Sequence, residues 1–239
     1  MSDNYRSHGS LSPRRSQPGE HLDTARRLQL DLVNRLANAR LYGILDLGYV
    51  EPSDAARIVE RMIEGGVDLV QLRGKSKSIE KHVGLAAELH ELTTKSSTPM
   101  IINDYSEIAR RVPVEGVHVG QHDDSIELAR RKAGRKILVG KSTHSLEQAR
   151  GAQREGADYI GFGPIFSTAT KPDYTPIGLN EISRVYAEVN VPIFCIGGIN
   201  IDNLQSVIDA GARRVVMVSA LLKAHSIVDY ARCVTDMLA

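Results

Sequence analysis

Short apolar runs alternate eight times with segments of helical period along this chain, and that alternation restricts it to a parallel sheet wound by helices. The runs fall at 41–45, 67–72, 100–103, 116–119, 137–140, 158–162, 192–196 and 214–218. The helical segments fall at 54–64, 79–95, a short turn from Tyr105, 125–133, 145–155, 179–189, 201–210 and 226–237. Eight such units in 239 residues predict a closed (β/α)8 barrel, for which about 250 residues are usual. An open doubly wound sheet is the competing arrangement. No GxGxxG follows the first run and no GxxxxGK[ST] occurs anywhere, so the phosphate motifs of open sheets are missing.

Ahead of the first unit, Leu22, Ala25, Leu28, Leu32, Val33 and Leu36 recur at steps of three and four, which predicts an amphipathic helix over 21–40. Its apolar stripe suits the floor of the barrel or a neighbouring subunit. Residues 1–20 are rich in Ser, Pro and Arg and predict a disordered polar tail, leaving 41–239 as the catalytic barrel. That tail lacks the apolar core of a secretory signal.

Composition narrows the function classes. Lys and Arg total 30 against 29 Asp and Glu, so no global field recruits nucleic acid or an anionic membrane. With no Trp, 3 Phe and 8 Tyr, stacking platforms for single-stranded nucleic acid are few. Cys195 and Cys233 lie in apolar segments without CxxC spacing and read as small core residues in a reducing, cytoplasmic compartment. The longest apolar stretch, 215–222, is broken by Ser219 and falls well short of the roughly 20 residues of a membrane span.

In a barrel, chemistry sits at the carboxyl ends of the strands. Polar residues gather there: Gln71, Arg73 and Lys75; Asn103 and Asp104; Gln121, His122, Asp123 and Asp124; Lys141, Ser142, Thr143 and His144; then Thr168, Thr170 and Lys171. Arg73, Lys75 and Lys171 supply enough positive charge at one mouth for a pyrophosphate. Asp104 and Asp123 would repel that group, unless a Mg²⁺ held between carboxylates and phosphate oxygens accounts for them. Gly197 and Gly198 precede a helix, and Val218 and Ser219 follow the last run, which suits a second, backbone-made phosphate grip. Asp124 competes with Asp123 as a metal ligand and could equally cap the helix that starts near Ser125. His118 reads as a core or supporting group, and His122 as a solvated loop residue.

The segments QLRGK (71–75), ND (103–104), GVHVGQ (116–121) with Asp123, GKSTH (140–144), GFGPIF (161–166) with TATK (168–171), and GGI (197–199) resemble thiamine phosphate synthases in order and spacing. The resemblance spans about 41–238. It implies joining of 4-amino-2-methyl-5-pyrimidinylmethyl pyrophosphate to 4-methyl-5-(2-phosphoethyl)thiazole, or its carboxylated form, with release of pyrophosphate. It also implies that Gln71, Leu72, Arg73, Gly74, Lys75, Asn103, Ser142 and Lys171 hold the pyrimidine pyrophosphate, with Arg73, Lys75, Ser142 and Lys171 acting on the departing group. Asp104 and Asp123 would bind Mg²⁺. Thr168, Ala169, Thr170, Gly198, Val218 and Ser219 would hold the thiazole phosphate. A homo-oligomer is implied as well. The chain departs from the pattern at His122, where an acidic residue is frequent, and at Tyr105, where a basic one is common.

Two alternatives keep the fold. A thiazole tautomerase would need a general base but not the carboxylate pair, and a non-catalytic sensor of thiamine phosphate would signal through the Arg-bearing tail and the helix from Leu22 to Leu36. The Gly, Thr and Pro content of 163–176 permits a lid.

Overall fold

The computed structural model describes residues 18–74, 79–134, 136–168 and 175–239, with side chains described from residue 26 onward. The predicted tail falls outside these residues, apart from its last three.

Eight strands form a closed barrel in sequence order: β1 (Leu41–Asp46), β2 (Leu69–Arg73), β3 (Met100–Asn103), β4 (Gly116–Val119), β5 (Leu138–Thr143), β6 (Tyr159–Phe162), β7 (Ile193–Cys195) and β8 (Val215–Met217). All pairings are parallel, and β8 closes back on β1 with Leu41 opposite Val215. The connecting helices are α2 (Ala55–Glu64), α3 (Ile79–Lys95), α4 (Ile126–Ala133), α5 (Leu146–Arg154), α6 (Asn180–Glu188), α7 (Ile201–Asp209), α8 (Ser219–Leu222) and α9 (Ile227–Met237), preceded by α1 (Pro18–Asn38). A 3-10 turn, Ser106–Arg110, replaces a helix between β3 and β4, where the sequence predicts a short one.

The two-residue period of each strand sorts its side chains. Leu41, Leu45, Val70, Leu72, Ile102, Val117, Val139, Ile160 and Cys195 face outward into the layer beneath the helices. Tyr42, Ile44, Leu69, Ile101, Leu138, Tyr159, Phe194 and Val216 fill the barrel. Helices start where the sequence supplies caps: Ser125, Ser145 and Ser226 each accept a backbone N–H, and Asn200 with Asn203 forms a reciprocal capping box.

The floor is closed by the end of α1. Leu36 and the following Ala39 join the inner cluster, Arg35 donates to the Ser97 carbonyl at 3.0 Å, and Arg214 donates to the Ala37 carbonyl at 2.6 Å. Leu28 and Leu30, further back on α1, are 66% and 61% exposed. The floor is thus the role taken by the end of the predicted stripe, while its middle stays open to solvent.

Two expectations need correction. Cys233 is exposed on α9, since its side chain falls off the buried stripe formed by Ile227, Val228, Ala231 and Val234, whereas Cys195 is buried as expected. Strand β5 runs three residues further than the apolar run suggests, so Lys141, Ser142 and Thr143 belong to the strand and not to the loop after it. Pairing with β4 and β6 carries the strand past its last apolar residue.

Candidate active site

The strand period that fills the barrel also aims polar groups at its mouth. Gln71 and Arg73 on β2, Asn103 on β3, His118 on β4 and Ser142 on β5 all line one cavity of about 430 Å³ with Thr168, Gly198, Val218, Ser219 and Lys223. Strand β2 alternates strictly: Gln71 and Arg73 point in, while Leu72, counted by the resemblance in the binding segment, buries its side chain in the outer core. Any part Leu72 plays there is through its backbone. Lys75, Ala169, Thr170 and Lys171 lie outside the described residues, as does the middle of the expected lid.

The bottom of the cavity is polar and closed. Gln71 Nε2 donates to the Tyr42 hydroxyl at 2.6 Å, that hydroxyl bonds the Tyr159 hydroxyl at 3.0 Å, and Tyr159 reaches His118 Nδ1 at 3.2 Å. His118 Nε2 bonds Ser142 Oγ at 3.0 Å. Tyr42, Tyr159 and Phe194 pack edge to face around this line, with ring centroids 5.4 to 5.9 Å apart. Burial pushes both phenols well above the usual tyrosine range, so they remain protonated donors. Room for the Tyr159 ring comes from Gly140, where a Cβ would sit 2.1 Å from the ring carbon bearing the hydroxyl. His118 is therefore the supporting group expected of it; Tyr42 and Tyr159, which are read from sequence only as apolar strand residues, are the polar members that escaped notice. Their signal was an inward strand position shared with Gln71.

Arg73 is held from β1. Asp46, 2% exposed and opposite Arg73 in the strand register, bonds its guanidinium through Oδ2 and accepts the Gly48 N–H at 2.9 Å through Oδ1. A fixed carboxylate orients the planar fork and leaves its remaining donors to the cavity that Arg73 lines. The apolar run ends at Leu45, one residue short of the strand, which includes Asp46.

At the ends of β3 and β4 stand the two presumed metal ligands. Asp104 adopts a left-handed backbone, φ 64°, and its N–H donates to the His118 carbonyl at 2.9 Å, tying its position to the neighbouring strand. Asp123 folds back so that Oδ2 accepts the Gly120 N–H at 2.7 Å. Asp124 is ion-paired to Lys132 at 2.9 Å, and Ser125 supplies the cap of α4. Asp124 is thus engaged by Lys132, and the helix is capped by Ser125 and not by Asp124. Neither Asp104 nor Asp123 is among the residues lining the cavity; as hard oxygen donors that follow neighbouring strands, the two carboxylates would suit Mg²⁺. His122 is exposed, as expected of a loop residue. His144 bonds the Gly163 carbonyl at 2.5 Å through Nδ1, and its N–H goes to Gln148 at 2.7 Å, so it ties β5 to β6.

The opposite flank is built of backbone. Gly197 and Gly198 take φ values of 101° and 66°, and the Gly197 carbonyl accepts the Phe166 N–H at 2.9 Å. Asn203 holds the Gly198 carbonyl at 2.9 Å, coupling the turn to the capping box of α7. A Cβ on Gly198 would lie 2.5 Å from the Ser167 carbonyl oxygen. Val218 and Ser219 begin α8, an element read from sequence as the tail of an apolar run. Lys223, which the sequence reading did not single out, lines this flank with its ammonium 4.8 Å from the centre of the Tyr49 ring.

One mouth with a guanidinium, amide and hydroxyl side chains on one side and a glycine turn on the other, the carboxylates of Asp104 and Asp123 lying outside its lining, is a (β/α)8 barrel built to handle phosphate. Comparison with known proteins makes this specific. The family model for thiamine monophosphate synthase matches residues 41–221. The thiamine-phosphate synthase of Chloroflexus aurantiacus is 41% identical over 201 residues, covering 84% of this chain and 93% of that protein. That of Halalkalibacterium halodurans is 39% identical, covering 79% and 90%. Among solved structures, the thiamine phosphate pyrophosphorylase from Pyrococcus furiosus superposes with a TM-score of 0.77 at 30% identity, over 87% of this chain and 97% of that one. The chain belongs to the thiamine monophosphate synthase family.

Proposed function

We propose that this mouth joins the pyrimidine pyrophosphate to the thiazole phosphate, giving thiamine phosphate and pyrophosphate. The observation that carries the reading is that a cationic flank and a glycine-turn flank share a single cavity, as a reaction between two phosphorylated substrates requires. Arg73, Asn103 and Ser142, with Lys75 and Lys171, hold the pyrophosphate, and Gln71 meets the pyrimidine. Thr168, Gly198, Val218 and Ser219, with Ala169 and Thr170, hold the thiazole phosphate. Asp104 and Asp123 hold Mg²⁺, which when bound offsets negative charge on the pyrophosphate.

The reaction needs no protein nucleophile. The bond from the pyrimidine methylene to the pyrophosphate oxygen breaks, its electron pair leaves with pyrophosphate, and the ring amino group spreads the positive charge. The thiazole nitrogen then forms the new bond to that methylene. Arg73, fixed by Asp46, meets charge growing on the leaving oxygen without reorganising. The thiol of Cys195 is pushed by burial up to about 12, which suits a packing role only.

A homo-oligomer in the cytoplasm, acting on small molecules and not on nucleic acid, belongs to the same reading. The near-neutral charge balance supports the small-molecule part of it, and among the described residues no helix is long and apolar enough to cross a membrane. The deciding experiment follows pyrophosphate release from purified protein given Mg²⁺ and the pyrimidine pyrophosphate, with and without thiazole phosphate, the product being identified by mass. Thiamine phosphate only when all three are present is the expected result. Folded protein that makes none overturns the reading in favour of a tautomerase or a sensor.

A further inference from the structure

The five polar groups beneath the cavity form one line, Gln71, Tyr42, Tyr159, His118 and Ser142, and counting protons along it gives the line a direction. The Gln71 amide nitrogen only donates, so the Tyr42 oxygen accepts. Tyr42 is 1% exposed, and its only other described partner is the Tyr159 hydroxyl, so its single proton goes there. The Tyr159 proton then goes on to His118 Nδ1. An imidazole that accepts at Nδ1 carries its hydrogen on Nε2 and donates to Ser142 Oγ. The Ser142 hydroxyl already accepts from below, and its own proton is left for the cavity that Ser142 lines. The reverse order satisfies less: were Tyr159 to donate to Tyr42, the Tyr42 oxygen would accept twice and its own proton would have no protein acceptor among the described residues. An imidazolium at His118 would force that same reversal.

We infer that Tyr159 is a positioning residue, which holds His118 as the Nε2–H tautomer and thereby presents the Ser142 hydroxyl as a donor to the pyrophosphate oxygens. Tyr159 is fully buried and does not line the cavity, so it acts through His118 and not by touching substrate. The inference rests on the reading of this flank as the pyrophosphate site. It also explains why a phenol, with its cost of burial, stands where phenylalanine would fill the same space.

The test is a double-mutant cycle of Tyr159→Phe and Ser142→Ala, with ring ¹⁵N spectra of His118. In the otherwise unchanged protein, Tyr159→Phe lowers kcat/KM for the pyrimidine pyrophosphate about tenfold and leaves KM for thiazole phosphate within about twofold. In the Ser142→Ala background the same change costs less than about twofold, because the group it positions is gone. The unsubstituted protein shows His118 protonated on Nε2. Equal losses in both backgrounds, no loss in either, or His118 protonated on Nδ1 would overturn the inference. The spectrum of the unsubstituted protein decides alone if Tyr159→Phe does not fold. It is independent of turnover, so absence of thiamine phosphate synthesis strikes the proposed reaction and not the tautomer.

Discussion

The two flanks of the mouth handle phosphate by opposite means. Between β1 and β5 the polar groups are side chains held by other side chains: Arg73 by Asp46, and Ser142 by His118. Between β6 and β8 the framework is main chain, with Gly197 and Gly198 in left-handed conformations and Asn203 bonding a carbonyl. A side-chain site loses one group at a time when it is mutated, and its remaining groups keep working. A backbone site has no group to delete and is damaged only by added bulk or a moved turn. The difference predicts which substitutions act on one substrate, by how much, and through which constant.

The largest effect is expected at Asp104. Asp104→Ala removes half of the carboxylate pair and should lower turnover at saturating substrates by at least about a hundredfold, with the Mg²⁺ requirement shifted to higher concentration. Circular dichroism should be unchanged, since the left-handed conformation of residue 104 is held by its own N–H to the His118 carbonyl. Full activity in that variant, measured as pyrophosphate release across a Mg²⁺ series, would remove the metal from this flank.

Gly198→Val probes the other side. A Cβ there meets a carbonyl oxygen at 2.5 Å, and φ of 66° is strained for a β-branched residue, a combination that costs about 1–3 kcal/mol. KM for thiazole phosphate should rise about tenfold or more while KM for the pyrimidine pyrophosphate stays within about twofold. Equal rises in both would mean that the turn supports the whole barrel. Thiol labelling separates the cases. At pH 8 the exposed Cys233 reacts at once, whereas Cys195, buried on neighbouring β7 with its thiol pushed up to about 12, stays protonated and unreactive in folded protein. Rapid labelling of Cys195 in the variant reports an opened barrel.

A smaller, one-sided effect is expected at Asp46. Asp46→Asn keeps a group of the same shape but removes the charge that fixes Arg73. It should lower kcat/KM for the pyrimidine pyrophosphate about fivefold, leave the thiazole side untouched, and reduce stability by up to about 3–5 kcal/mol because a largely buried guanidinium loses its counter-charge. Steady-state kinetics and urea melts check both parts. A loss shared between the substrates would contradict the division of the mouth.

These differences also explain what was legible in the chain before its structure. The barrel was, because each strand and each helix is short, periodic and bounded by its own turn or cap, as at Gly65, Ser125 and Ser226. Arg73, Asn103 and Ser142 stood out as polar residues at strand ends. Asp46, Tyr42 and Tyr159 did not, since their roles depend on which residue faces them across the barrel, and sequence separations of 27 and 117 residues hide that. The ion pair of Asp124 with Lys132, eight residues on, was likewise hidden until the helix was in place. Lys223 was missed because α8 interposes a helical turn between β8 and the lysine and brings it back over the mouth.

The smallest effect is expected from the polar segment ahead of α1. The end of α1 plugs the floor through Leu36, so the helix contributes to stability, whereas the composition of residues 1–17 supplies none of the groups assigned to either flank. Deleting 1–17 while keeping α1 should leave kcat and both KM values within about twofold and shift the melting temperature by no more than a surface change does. Removing 1–38 instead takes Leu36 out of the inner cluster and exposes Leu69, Ile101 and Leu138 from below, so it should destabilise by several kcal/mol while leaving the polar line above unbroken. A large kinetic loss from the shorter deletion would make the tail part of the site. It would also revive a signalling role for its arginines, and the two-flank account of the mouth would then have to include a third contributor.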